Sequence, residues 1–142
     1  MKSKLNCVMV IDDDESTNYF NHMIVERSAC TDNIIVAQSG QEALDYLANS
    51  EPHNGEENKK PCPALIFLDI NMPAMNGWEF LDKFRQLSNE QKADIVIVML
   101  TTSLFPEDLI KAKGIPEISS FENKPLTEEK LDMLIRKHFV SI

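Results

Sequence analysis

Residues 64–73 read Ala64-Leu65-Ile66-Phe67-Leu68-Asp69-Ile70-Asn71-Met72-Pro73. The unbroken apolar run from Ala64 to Leu68 shows no alternation of polar and apolar positions. A strand facing water on one side would alternate, so this one is covered on both faces, as in a parallel sheet packed between helices. The run stops at a carboxylate. Asp69 therefore stands at the carboxyl end of a buried strand, where open α/β sheets bind their ligands.

The same rhythm extends in both directions. Cys7–Ile11, Ile34–Ala37, Asp94–Leu100 and Ile118–Phe121 are further short apolar runs. Helical periods lie between them. Asp14–Arg27 places Tyr19, Phe20, Met23 and Ile24 on one face, and Gly40–Asn49 presents Ala43, Leu44, Leu47 and Ala48. Gly77–Leu87 turns Phe80, Leu81, Phe84 and Leu87 inward. Pro106 opens a helix with Glu107 and Asp108 in its first turn and Gly114 as its stop. Thr127–Phe139 is the last helix. Five strand–helix repeats predict an α/β fold, a parallel sheet with helices on both faces. Residues 50–63 are polar, contain three prolines and Gly55, and read as a long solvated loop.

With 142 residues the chain is expected to form one domain, with a core of about 5–140 and no separate output module. Its net charge of −9 disfavours nucleic acid and anionic membrane as ligands, since both call for a basic footprint. No apolar stretch reaches membrane-spanning length, and no cleavage signal follows the basic N-terminus, so a cytoplasmic location is expected. Cys7, Cys30 and Cys62 are odd in number, lack metal-ligand spacing and read as reduced thiols.

Four chemical groups fall at strand ends: Asp12-Asp13, Asp69, Thr101 and Lys124. Each alone has an ordinary explanation. Asp14 and Glu15 suit a helix N-terminus, and a Thr after a strand is commonly a turn residue. Their coincidence at the ends of four different apolar strands marks a site.

The runs Val10-Ile11-Asp12-Asp13-Asp14, Leu68-Asp69-Ile70-Asn71-Met72-Pro73 with Asn76-Gly77, Leu100-Thr101 and Asn123-Lys124-Pro125 resemble the receiver domains of two-component response regulators. The likeness spans essentially the whole chain and implies a flavodoxin-like, doubly wound sheet of order 2-1-3-4-5. It also implies that Asp69 is the phosphorylated nucleophile and that Asp12, Asp13, Asp69 and the backbone carbonyl of Asn71 hold Mg²⁺. Thr101 and Lys124 would grip the phosphoryl oxygens, Thr101 and Phe121 would act as switch residues, and Lys124-Pro125 would be a cis peptide. In that strand order, neighbouring strands lie about 5 Å apart and strand five about 10 Å from strand three. Asp12, Asp13 and Asp69 would then crowd together, with Lys124 able to cross most of the gap. Three carboxylates against one lysine leave a formal −2, which one hard divalent cation neutralises.

The implied phosphodonor is a sensor histidine kinase or a histidine phosphotransfer protein, and the implied output is a contact with a downstream protein. On this reading the chain is no enzyme beyond its own phosphorylation and dephosphorylation. The 50–63 loop, Asp45-Tyr46-Leu47 and Asn123-Lys124-Pro125 further resemble a subgroup of small receivers, some paired with phytochrome-type kinases. Two other readings compete. A Mg²⁺-dependent phosphohydrolase working through an aspartyl phosphate would want an acid two residues after the nucleophile, where this chain has Asn71. An unphosphorylated binding module would not need every catalytic position filled. Phe105, before Pro106, stands where a polar cap is normally preferred; it is either tucked into the core or an exposed anchor for a partner.

Overall fold

The computed structural model describes residues 5–50, 61–87, 95–102 and 105–139. Strands β1 (Val8–Ile11), β2 (Ile34–Ala37), β3 (Leu65–Asp69), β4 (Val96–Thr101) and β5 (Ile118–Asn123) alternate with helices. These are α1 (Glu15–Ser28), α2 (Gly40–Ala48), α3 (Gly77–Phe84), α4 (Pro106–Lys113) and α5 (Glu128–Phe139). The sheet is parallel throughout, in the order β2-β1-β3-β4-β5.

The apolar runs become strands because both faces of the central three are covered. Met9, Ile11, Ile66, Leu68, Ile97 and Met99 point to one side, where Ala43, Leu44 and Leu47 of α2 meet Phe80, Leu81 and Phe84 of α3. Their alternating neighbours Val8, Val10, Leu65, Phe67, Val98 and Leu100 meet Ile24 and Val25 of α1 and Leu131, Leu134 and Ile135 of α5. Successive side chains point to opposite faces of a strand, so each unbroken run feeds two cores at once.

Side-chain caps set several helix starts. The side chains of Asp14 and Ser39 accept from the backbone amides of Thr17 and Glu42, and Asn76 and Glu79 form a reciprocal capping box. Helix α4 begins differently, with Phe105 at the cap position, no side-chain cap bond and Pro106 directly after it.

The buried face of α1 is not the expected one. Asn18, Asn21, Ile24 and Val25 turn inward, while Tyr19 and Phe20 are exposed. The reason is polar: the Asn18 amide donates to the carbonyls of Asp12 at 2.7 Å and Ala37 at 3.4 Å, behind the end of β1. The Ala37 carbonyl already accepts from the Asp12 amide at 3.1 Å, so it is satisfying the Asp12 carbonyl that outweighs burying a Tyr there. Ala48 is likewise exposed, and β5 runs two residues beyond Phe121. Most of the 50–63 loop, together with Asp94 and Leu104, lies outside the described residues; within that loop Ser50, Pro61, Cys62 and Pro63 are buried. The Tyr46 hydroxyl donates to the Pro61 carbonyl at 2.8 Å, tying this end of the loop to α2.

Candidate functional site

The site lies at the carboxyl edge of the sheet, and strand register assembles it. Pairing sets Ile11 against Leu68, which carries Asp12 alongside Asp69. It also sets Asp69 against Leu100 and Thr101 against Asn123, so the ends of β3, β4 and β5 converge. Asp12, Asp69 and Thr101 are buried, whereas Asp13 is exposed. One carboxylate oxygen from each of Asp12, Asp13 and Asp69 lies within 4.8 Å of the others. Burial of two of these acids follows from chain direction: a strand that is dry on both faces delivers its last residue to the rim of the core.

Lys124 is bound at both ends. Its backbone amide donates to the Thr101 carbonyl at 2.8 Å, and its ammonium donates to Asp12 Oδ2 at 2.6 Å. The same nitrogen is 3.2 Å from Asp69 Oδ1. The lysine thus crosses the whole gap from β5, passing β4 and β3 to reach the acid after β1. Asp12 Oδ1 is engaged as well, accepting from the backbone amide of Asp14 at 2.9 Å. The peptide bond between Lys124 and Pro125 is cis, as the resemblance implied.

Burial raises the Asp69 carboxyl above its usual range, and the charge of Asp12 adds to this. Lys124 and the backbone amide of Asn71 pull the other way without cancelling it. For Lys124 burial acts downward, but its bond to Asp12 and the charge of Asp69 win and hold the ammonium protonated.

Asn71 and Thr102 are exposed at the rim, and Phe121 is half-buried on β5, packed against the α2–α3 side of the core. Gly77 opens α3 hard against the end of β3. Its amide donates to Ile70 O at 2.8 Å, and a Cβ there would lie 2.8 Å from the Asp69 carbonyl oxygen. A mostly apolar cavity of about 390 Å³ adjoins the site through Lys124, with Phe20 and Asn21 of α1 on one wall and Pro125 and Leu126 on the other. Asn18, which holds the Asp12 carbonyl, was not among the residues singled out from the sequence. An Asn in the first turn of the helix directly after an acidic cluster was its one signal.

Three carboxylates at this spacing, with a rim open to water, suit a hard divalent cation such as Mg²⁺, which takes oxygen ligands and keeps several waters. Thiols and imidazoles are absent from this cluster, which disfavours a soft metal.

A family model described as the response regulator receiver domain matches residues 8–136. The probable methanogenesis regulatory protein FilR2 of Methanothrix harundinacea is 28% identical over 130 residues, 92% of this chain and 79% of that protein. Among solved structures, a two component response regulator from Cytophaga hutchinsonii is 32% identical with a TM-score of 0.81, covering 94% of this chain and 96% of that one. The bacteriophytochrome response regulator RtBRR is 26% identical with a TM-score of 0.73, covering 97% of this chain and 80% of that one.

Proposed function

We infer from one premise, that this chain belongs to the response regulator receiver domain family of two-component signalling, that Asp69 is its phosphoryl acceptor. The observation that carries the reading is the Lys124 ammonium between Asp12 and Asp69, beside a third carboxylate on Asp13. Receiver domains are signalling modules that interact with histidine kinases or phosphotransfer proteins.

Asp69 Oδ attacks the phosphorus of a phospho-histidine, the P–N bond breaks, and the imidazole leaves as the acyl phosphate forms. Such transfer asks mainly for alignment and for neutralisation of oxygen charge. Asp12, Asp13 and Asp69, with the Asn71 carbonyl, would hold Mg²⁺, which when bound supplies charge neutralisation at the phosphoryl oxygens. Lys124 moves its ammonium from the carboxylates onto the incoming phosphoryl group, and Thr101 donates its hydroxyl to the same group. The shift of Thr101 carries to Phe121 on the neighbouring strand and so to the surface formed by α4, β5 and α5.

The donor docks over the cavity between α1 and the Lys124–Leu126 segment, which is lined by Lys124. The likeness to a bacteriophytochrome response regulator makes a phytochrome-type kinase the first donor to try. Among the described residues no helix is long and apolar enough to cross a membrane.

A phosphohydrolase is disfavoured by Asn71, an amide without acid–base capacity where such enzymes carry a carboxylic acid. The direct test is incubation with acetyl phosphate and Mg²⁺. The wild type should gain one phosphate that hydroxylamine removes, and Asp69→Asn should gain none. A labelled Asp69→Asn protein, or phosphate mapped to Ser or Thr, would refute the reading.

A further inference from the structure

We propose that Lys130 is a positioning residue for phosphoryl transfer, acting through Lys124; this rests on the reading of Asp69 as the acceptor. The Lys130 ammonium donates to the Asn123 carbonyl at 2.8 Å and to the Pro125 carbonyl at 3.0 Å. These two carbonyls bracket Lys124 in the chain. With the Lys124 amide held by Thr101 O, the backbone on both sides of the functional lysine is tied down.

The placement of Lys130 argues for a specific role. Thr127 caps α5, its hydroxyl accepting from the Lys130 amide at 3.1 Å. Lys130 therefore lies in the first helical turn, where the helix dipole opposes a cation and favours acids such as Glu128 and Glu129. An ammonium offers three donors and no acceptor, so it gathers carbonyls. Here it gathers the carbonyl of the last residue of β5, Asn123, and that of Pro125 two residues on. Without it they would turn to water, and the segment that carries Lys124 would lose its tether to α5.

The consequence is geometric. The Lys124 side chain is long and spans two strands to reach Asp12, so a small displacement at its root becomes a misplaced ammonium at its tip. Displacements of about 1 Å in groups that stabilise a transition state can cost two orders of magnitude in rate.

The test measures the rate of acyl-phosphate formation from acetyl phosphate with saturating Mg²⁺, followed by intact mass, in the full chain. Lys130→Met should slow the reaction on the order of tenfold. Lys130→Arg, which keeps a multi-donor cation, should restore most of it. The deciding arm is a double-mutant cycle. In a Lys124→Ala background, Lys130→Met should have no further effect, because its route to the reaction is already gone. A wild-type rate in Lys130→Met overturns the proposal, and so does an equal fold-loss in both backgrounds, the result for a merely structural role. A wild type that forms no adduct overturns the acceptor reading itself, and this proposal with it.

Discussion

The Lys124 ammonium lies closer to Asp12, at 2.6 Å, than to Asp69, at 3.2 Å. The lysine thus serves as an internal counter-cation for the two buried acids. Two nearly dry carboxylates share one positive charge, and the third acid stands in water.

Lys124→Met should separate these roles. Removing one partner of a buried ion pair leaves uncompensated charge and costs about 3 kcal/mol or more. The metal-free melting temperature should therefore fall. Mg²⁺ should bind the variant more tightly, because it no longer competes with the ammonium, and should recover more melting temperature than it adds to the wild type. Calorimetric titration together with melts at several Mg²⁺ concentrations checks both; weaker Mg²⁺ binding by the variant would contradict the picture.

Gly77→Ala should disturb the acceptor from behind. The new methyl would meet the Asp69 carbonyl at 2.8 Å and Ile70 Cα at 3.0 Å, both backbone atoms with little freedom to yield. Overpacking of this kind costs about 1–3 kcal/mol. Denaturant melts should show that loss, and acetyl phosphate labelling of Asp69 should slow. Unchanged stability and labelling would mean that the start of α3 is looser than the contacts indicate.

Phe105→Ser should move stability and association in opposite directions. Phe105 is 69% exposed, and Leu109 and Ile110 on the same helix are exposed too. Burial in the core is thus excluded as the reason for an aromatic residue at this cap. A Ser there would add the missing N-cap, worth about 1 kcal/mol. It would also remove an aromatic anchor from the α4 surface. The variant should melt higher, keep its acetyl phosphate labelling, and bind its downstream partner or a second copy more weakly. Pull-down and sedimentation read the second effect, and normal association would move the output face elsewhere.

Phe20→Asp should discriminate between donors. Phe20 is exposed and lines the cavity beside Lys124, a cavity whose lining includes none of the three acids. Transfer from a phospho-histidine protein should slow at least tenfold, the effect of losing about 1.4 kcal/mol of docking energy. Labelling by acetyl phosphate, which needs no docking surface, should stay within a factor of two of wild type. Equal loss with both donors would place the defect in the site itself.

Cys7 should make the fold sensitive to alkali. Burial pushes its thiol up from the ordinary 9.0 to about 12; a hydrogen bond with Tyr46 acts downward, and the charge of Cys62 acts upward. Because the folded value lies above the unfolded one, the stabilisation is complete below about pH 9 and is lost as pH rises toward about 12. Chemical unfolding between pH 8 and 11 should show falling stability, with a shallower slope in Cys7→Ala. Tyr46, also raised by burial, leaves some slope behind. Iodoacetamide at pH 8 should modify Cys7 only after urea is added.

The architecture and the chemical groups were legible along the chain, because both depend on local pattern. An apolar run without alternation, such as Leu65–Leu68, can only be satisfied between two layers, and the end of such a run is where a polar group meets the pocket. The motifs around Asp12, Asp69, Thr101 and Lys124 therefore announced the site and, through the resemblance, the order of the sheet. Tertiary structure alone decided which face of α1 turns inward. Period counting ranks Tyr19 and Phe20 above Asn18 and Asn21, and the Asp12 carbonyl, which the Asn18 amide meets at 2.7 Å, reverses that ranking for Asn18. It also decided that Phe105 faces water, that Lys124 reaches past Asp69 to Asp12, and that Lys130 closes on the carbonyls either side of it. Each of these depends on where distant backbone acceptors and charges come to rest, which the spacing of residues along a chain does not encode.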